Sequence, residues 1–174
     1  MSPEELNKLL SPVKIAVITL SDRAFTGVYD DLSGPKITET EKDFFADKPY
    51  QTEFLYSLIP DDSTVLQETL EAYVGNGVDI IFTTGGTGIG PRDITPDVVK
   101  PMLDREIPGI MEYIRMKHVE RIPSAMLSRS LAGMIGKTLI FTLPGSVKAV
   151  AEYLQEINKI LPHSLLMINE VDAH

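Results

Sequence analysis

Residues 79–100, DIIFTTGGTGIGPRDITPDVVK, place an apolar run, a glycine-dense turn and a polar helix start side by side, and they constrain the fold more than any other stretch. Residues 79–83 read as a strand in which Ile80, Ile81 and Phe82 are consecutive. Successive side chains of a strand point to opposite faces, so both faces must be covered, as in a parallel sheet. Gly85, Gly86, Gly88 and Gly90 follow within six residues. They free the backbone for φ > 0 and leave its N–H groups open to an anion. Thr95, Pro96 and Asp97 then predict a helix start. Thr95 is the expected N-cap, Pro96 sits where a missing N–H costs nothing, and Asp97 meets the positive end of the helix dipole.

The rest of the chain repeats this alternation. Residues 13–20, VKIAVITL, predict a buried first strand ending in Ser21, Asp22 and Arg23. Gly34 and Pro35 open a helix to about residue 47, with Ile37, Glu41 and Phe44/Phe45 at helical spacing. Residues 53–59 predict a second strand, stopped by Pro60. Asp61 or Asp62 caps the next helix, whose apolar positions near Leu66, Leu70 and Val74 recur every four residues until Gly75, Asn76 and Gly77. Beyond residue 94, two helical segments carry Val98, Val99, Met102 and Leu103, then Ile110, Met111 and Ile114, with Pro123 closing the second. Residues 125–129 and 130–136 fit helix or loop. Residues 138–143, TLIFTL, predict another buried strand, and Pro144, Gly145 and Ser146 lead into a helix with Val150, Leu154, Ile157 and Leu161 on one face. The tail from residue 162 adds a short helical turn or two.

Strands alternating with helices predict an α/β protein, a three-layer α/β/α arrangement with a mostly parallel central sheet. The length of 174 residues with 43% hydrophobic content suits one domain, 13–174, behind an N-terminal extension, 1–12. Ligands of such sheets sit at the carboxyl ends of the strands. The segments after the four expected strands, around Asp22, Asp61, Gly85 to Asp93 and Gly145, should therefore share one edge.

Composition narrows the partners. The chain has no cysteine, which removes disulfides, thiolate metal sites and cysteine nucleophiles. The acidic start, MSPEELNKLL, is unlike a secretory signal, and no apolar run approaches a membrane span, so the expectation is a cytoplasmic protein without a membrane partner. A formal charge of −9 disfavours nucleic acid as partner. Residues 92–148 nevertheless hold nine Lys+Arg against six Asp+Glu, which favours a small anionic ligand near the glycine turn.

Two familiar glycine motifs do not fit. Gly85, Gly86, Gly88 and Gly90 miss the G-x-G-x-x-G spacing of a dinucleotide fold, and Gly136-Lys137-Thr138 is followed by a strand with Leu131 where a P-loop needs glycine. The three histidines, His118, His163 and His174, are too widely spaced for a ligand pattern. Asp93 precedes the expected cap Thr95, leaving its carboxylate for another task. If Asp61 and Asp93 converge at the sheet edge, two carboxylates beside a phosphate-binding turn form a site for Mg²⁺ shared with substrate phosphates.

Taken in order, SDRA-x-x-G, PD after the second strand, TTGGTG-x-x-x-RD-x-TPD, A-x-LSRS-x-AG and LPGS resemble the molybdopterin adenylyltransferases of molybdenum cofactor biosynthesis, the MogA/MoaB type also seen as the G domain of gephyrin-like proteins. The similarity runs over residues 13–168. It implies transfer of AMP from Mg-ATP to the terminal phosphate of molybdopterin, with release of pyrophosphate. By the same resemblance, Asp61 and Asp93 match the essential aspartates and metal site, with Ser21, Asp22, Gly85, Gly86, Thr87, Gly88, Ser128, Gly145 and Ser146 around the substrates. Arg92, Arg129 and Lys148 are candidates for secondary anion contacts. A homo-oligomer, trimer or hexamer, is also implied. One position departs from the pattern: Leu32 stands where the family often has a basic residue before Ser-Gly-Pro.

Overall fold

The computed structural model describes residues 12–170. The expected N-terminal extension lies outside them but for Pro12. Strand β1 is Val13–Leu20, followed by a one-turn helix α1, Asp22–Phe25, and helix α2, Ser33–Ala46. Strand β2, Thr52–Ile59, leads to α3, Ser63–Gly75, and then to β3, Ile80–Thr84, and α4, Thr95–Met102. A two-residue strand β4, Arg105–Glu106, precedes α5, Pro108–Val119, and a 3₁₀ turn, Pro123–Leu127. Strands β5, Ala132–Ile135, and β6, Thr138–Leu143, are followed by α6, Val147–Ile157, and α7, Leu161–Ile168.

The sheet order is β2-β1-β3-β6-β5-β4. The first four strands are parallel, whereas β5 runs antiparallel to β6 and β4 antiparallel to β5. Alternation along the strands sorts the core into two layers. Val13, Ile15, Val17, Ile80, Phe82, Leu139 and Phe141 pack with Ile37 of α2, Ile114 of α5, Leu154 of α6 and Leu165 of α7. Ala16, Ile18, Ile81 and Ile140 face the other way onto Leu66 and Leu70 of α3 and Val99 of α4. This is the expected three-layer α/β/α fold. Each fully buried aliphatic or aromatic side chain contributes about 1.5–3 kcal/mol, so the consecutive apolar runs of β1, β3 and β6 anchor both layers.

Strand order positions the ligand edge. From β1 the chain passes to β2 on one side and then to β3 on the other, so the connections diverge between β1 and β3. A crevice opens at the carboxyl ends of strands where connections diverge in this way.

The structure adds two strands to the four expected. Residues 132–135, AGMI, are too short and too small for a clear period, yet β5 pairs with β6 across the tight turn at Gly136, whose φ is +56°. Gly133 allows the closing approach of β4, since a Cβ there would meet Arg105 O at 2.5 Å. The exposed, charged β4 blunts the sheet edge, a role with no apolar signature. Thr95 is a second correction: Ile94 holds the N-cap position of α4 without a side-chain cap bond. Thr95 is buried and its hydroxyl instead donates to Gly85 O at 2.9 Å, pinning the glycine turn.

Candidate active site

Glycines make the turn possible in two different ways. Gly85 has φ +99°, and a Cβ on it would lie 2.4 Å from Leu20 O at the end of β1. Its own N–H donates to Leu143 O of β6 at 3.1 Å, so this amide locks the turn to the sheet. Gly88 and Gly90 do not have positive φ. They leave room for Asp93, whose Oδ2 would lie 2.7 and 2.9 Å from Cβ atoms at these two positions. Gly85→Ala is expected to cost about 1–3 kcal/mol from backbone strain alone, measured by denaturant unfolding. An unchanged midpoint would show that the turn relaxes freely.

Beyond the turn lies an open cleft of about 510 Å³ at the carboxyl ends of β1, β2, β3 and β6. Ser21, Asp22, Asp61, Gly85, Gly86, Asp93, Gly145 and Ser146 all line it. Five aspartates, Asp22, Asp30, Asp31, Asp61 and Asp93, face two arginines, Arg23 and Arg92. Asp22 and Asp61 brace neighbouring strand ends: Asp61 N donates to Asp22 Oδ1 at 3.0 Å, and Asp22 N to Asp61 Oδ2 at 3.2 Å. Burial pushes the Asp61 carboxyl above its usual range, and the nearby Asp93 charge adds to this. Asp62, not Asp61, caps α3 by accepting from Val65 N at 2.9 Å. Asp93 Oδ2 accepts from Gly90 N at 2.8 Å, so its carboxylate is shared between the turn and the cleft.

Other expected site residues have different tasks. Ser21 and Ser146 cap α1 and α6, accepting from Ala24 N and Ala149 N, each at 3.2 Å. Thr87 is buried, and neither it nor Gly88 lines the cleft. Ser128 lies in two adjoining depressions, where its hydroxyl donates to Ser130 Oγ at 3.0 Å and receives Tyr153 OH at 3.3 Å. Ser146 borders both the cleft and the first of these depressions.

The basic middle of the chain does not converge on the cleft. Of the three candidate anion contacts, only Arg92 lines it, paired with the Asp22 carboxylate. Lys148 lines a neighbouring depression, and Arg129 pairs with Asp97. Lys117 and Arg121 are paired with Glu156 and Glu152.

Asp31 is the cleft residue that sequence reasoning passed over. Its Oδ2 accepts from Thr19 Oγ1 at 2.7 Å and Tyr56 OH at 2.6 Å, and its Oδ1 from Ser33 N at 3.0 Å and Gly34 N at 3.2 Å. Burial acts to raise its pKa, but the bonds from Tyr56, Thr19, Gly34 and Ser33 outweigh it and hold the carboxyl below the usual value. Gly34 is required beside it, because a Cβ there would lie 2.3 Å from Thr19 Oγ1. Next to Asp31, Leu32 is 66% exposed on the cleft rim, where it supplies no charge.

Among the described residues, no group of three or more His, Cys, Asp or Glu is arranged to hold a metal ion. Asp61 and Asp93 are two carboxylates in one cleft, with Asp61 sensing the charge of Asp93. That donor set suits Mg²⁺, which keeps several waters and takes its remaining oxygens from substrate phosphates.

Among the described residues, no helix is long and apolar enough to cross a membrane. The model of a probable molybdopterin binding domain matches residues 16–163. A molybdopterin adenylyltransferase of Helicobacter pylori is 35% identical over 160 residues, covering 91% of this chain and 89% of that protein. The molybdenum cofactor synthesis protein cinnamon of Drosophila melanogaster is 35% identical over 162 residues, but they cover 92% of this chain and only 26% of that protein. The crystal structure of the molybdopterin biosynthesis enzyme MoaB from Thermus thermophilus superposes with a TM-score of 0.80 at 36% identity, covering 91% of this chain and 97% of that one. With this fold, this cleft and these similarities, the chain belongs to the molybdopterin-binding domain family of molybdenum cofactor biosynthesis, the MogA/MoaB type.

Proposed function

We propose that the protein is a molybdopterin adenylyltransferase that transfers AMP from Mg-ATP to the terminal phosphate of molybdopterin and releases pyrophosphate. The observation that carries this reading is the pairing of Asp61 and Asp93 at the strand-end cleft, beside an anion-compatible glycine turn. Charge explains why a cation belongs in the reaction. A lining of five aspartates against two arginines repels a polyphosphate unless a divalent ion lies between them. When bound there, Mg²⁺ neutralises phosphate charge and polarises the phosphorus under attack.

The chain's own part is positioning. Asp61 and Asp93 provide the hard oxygen ligands. Among the described residues, the amide of Gly86, which lines the cleft, donates to no protein acceptor, so it is open to a phosphate oxygen. A charge-assisted bond of this kind is worth about 1.5–3 kcal/mol. Nucleotidyl transfer asks for alignment of an existing phosphate nucleophile with the α-phosphorus, not for a covalent protein nucleophile, and the cleft serines Ser21 and Ser146 are engaged as helix caps. The working unit in this reading is a cytoplasmic homo-oligomer, trimer or hexamer, for which exposed Tyr113 and Met116 on α5 offer apolar area.

Incubation with molybdopterin and Mg-ATP is expected to yield adenylylated pterin and pyrophosphate in equal amounts. Pyrophosphate without the pterin product would mean that the acceptor is wrong. Thermal melting adds a binding test. Mg-ATP at a hundred times its Kd should stabilise the protein by about 2.7 kcal/mol, and absence of any shift at millimolar Mg-ATP would favour a non-catalytic binding module.

A further inference from the structure

Arg129 lies between the 3₁₀ turn and β5, outside the cleft lining, yet it touches the glycine turn along much of its length. Its backbone N–H donates to Thr87 O at 2.8 Å. Its Nε donates to Gly88 O at 2.7 Å, its Nη2 to Asp93 O, and its Nη1 to Asp97 Oδ1 at 2.7 Å in the first turn of α4. A single side chain therefore joins both ends of the 88–93 segment to the helix that follows.

These contacts form a chain that ends at the cleft. A trans peptide is planar, so fixing the carbonyls of Thr87 and Gly88 also fixes the directions of the following N–H groups. Fixing the Asp93 carbonyl sets where its Cα and carboxylate lie. That carboxylate is held from the other side by Gly90 N at 2.8 Å. The three partners of the guanidinium lie in different directions, matching a planar fork with separate Nε, Nη1 and Nη2 donors. A lysine ammonium is a single point on a flexible stem and cannot reach all three.

We infer that Arg129 is a positioning residue for the adenylyl transfer proposed above: it clamps the glycine turn so that Asp93 is presented to the cation and phosphates in the cleft. It lies outside the cleft lining and works through Asp93. The inference rests on the proposed reaction for its kinetic consequence, but not for its structural one.

The test uses R129K, D93N and the double variant, with D97A as a milder variant that removes only the Nη1 anchor. R129K is expected to lower kcat by about 10- to 100-fold, as a displacement of the order of 1 Å does, while KM for Mg-ATP changes less than about threefold and more Mg²⁺ is needed for half-maximal rate. In the D93N background the same substitution should cost less than about threefold, since the residue it positions is already disabled. D97A should fall in the same direction by a smaller factor, and it decides the question if R129K does not fold. Wild-type kcat in R129K, or an equal loss in both backgrounds, would overturn the inference. A second readout does not depend on turnover. The Gly90 amide proton, shifted downfield by the Asp93 carboxylate, should move upfield in R129K while the amides of β3 stay in place. If the parent makes no adenylylated pterin but this resonance moves, the reaction is wrong and the clamp stands; if the resonance does not move, the clamp is wrong.

Discussion

Asp93→Asn is expected to leave the fold intact and to lower kcat/KM for adenylyl transfer by about 10²- to 10³-fold, about 3–4 kcal/mol of transition-state stabilisation. The fold survives because the local contact needs an acceptor, not a charge. A carboxamide oxygen takes the bond from Gly90 N, now 2.8 Å from Oδ2, and fits the space kept clear by Gly88 and Gly90. Function does not survive because an amide is a weak ligand for a hard divalent ion and leaves Asp61 alone to hold it. The substitution also removes the charge that helps hold the Asp61 carboxyl above its usual range. Asp61 then ionises at lower pH, and the acidic limb of the residual pH–rate profile should move down. Steady-state kinetics and a thermal melt decide the matter: near-normal turnover would remove Asp93 from the mechanism, and a lost transition would mean that its role is structural.

The sequence carried the parallel centre of the fold because β1, β3 and β6 are continuous apolar runs, a pattern that demands cover on both faces. It carried the cleft because strand order in a parallel sheet brings successive strand ends to one edge, so Asp22, Asp61, Gly85 and Gly145 could be assembled without contacts. Features built from contacts between distant residues were hidden. Asp31 looks like a loop aspartate until Thr19 and Tyr56 are seen to donate to it, 12 and 25 residues away. Thr95 follows a cap pattern, yet its hydroxyl is taken by Gly85, ten residues back. Arg129 has the charge of an anion ligand, but carbonyls and Asp97 use that charge before any substrate reaches it. The local excess of basic residues was real and its purpose was different: ion pairs with the helices around it, with only Arg92 left facing the cleft among the three proposed anion contacts.

Glu41→Gln is expected to stabilise the protein at alkaline pH and to remove one source of its pH dependence. Glu41 lies in the apolar layer between α2 and α6, fully buried, with Oε1 accepting from Asn158 Nδ2 at 3.0 Å. Glu41 Oε2 and Asn158 Oδ1 are both buried without a partner among the described residues. Two acceptors left over on one bonded pair of groups call for a proton between them, which a neutral carboxylic acid supplies. Burial pushes the Glu41 pKa from 4.5 to about 7, opposed only by the bond from Asn158, with no charged side chain contributing. The acids of α6 are engaged elsewhere, Glu156 by Lys117 and Lys159 and Glu152 by Arg121. Folded protein therefore binds a proton that the unfolded chain has released. The sign follows: this stability is fully present below the unfolded pKa of 4.5, declines as pH rises and is lost through the folded pKa of about 7. The difference between those two values corresponds to about 3 kcal/mol. A glutamine keeps the acceptor for Asn158 Nδ2 and gives Oδ1 a permanent N–H donor, so it needs no proton. The stability of E41Q over the parent should thus grow by about 3 kcal/mol between about pH 4.5 and 7.5, read from urea unfolding at each pH. Parallel stability curves for the two chains would mean that Glu41 is already charged in the folded protein and that the two acceptors are satisfied in some other way.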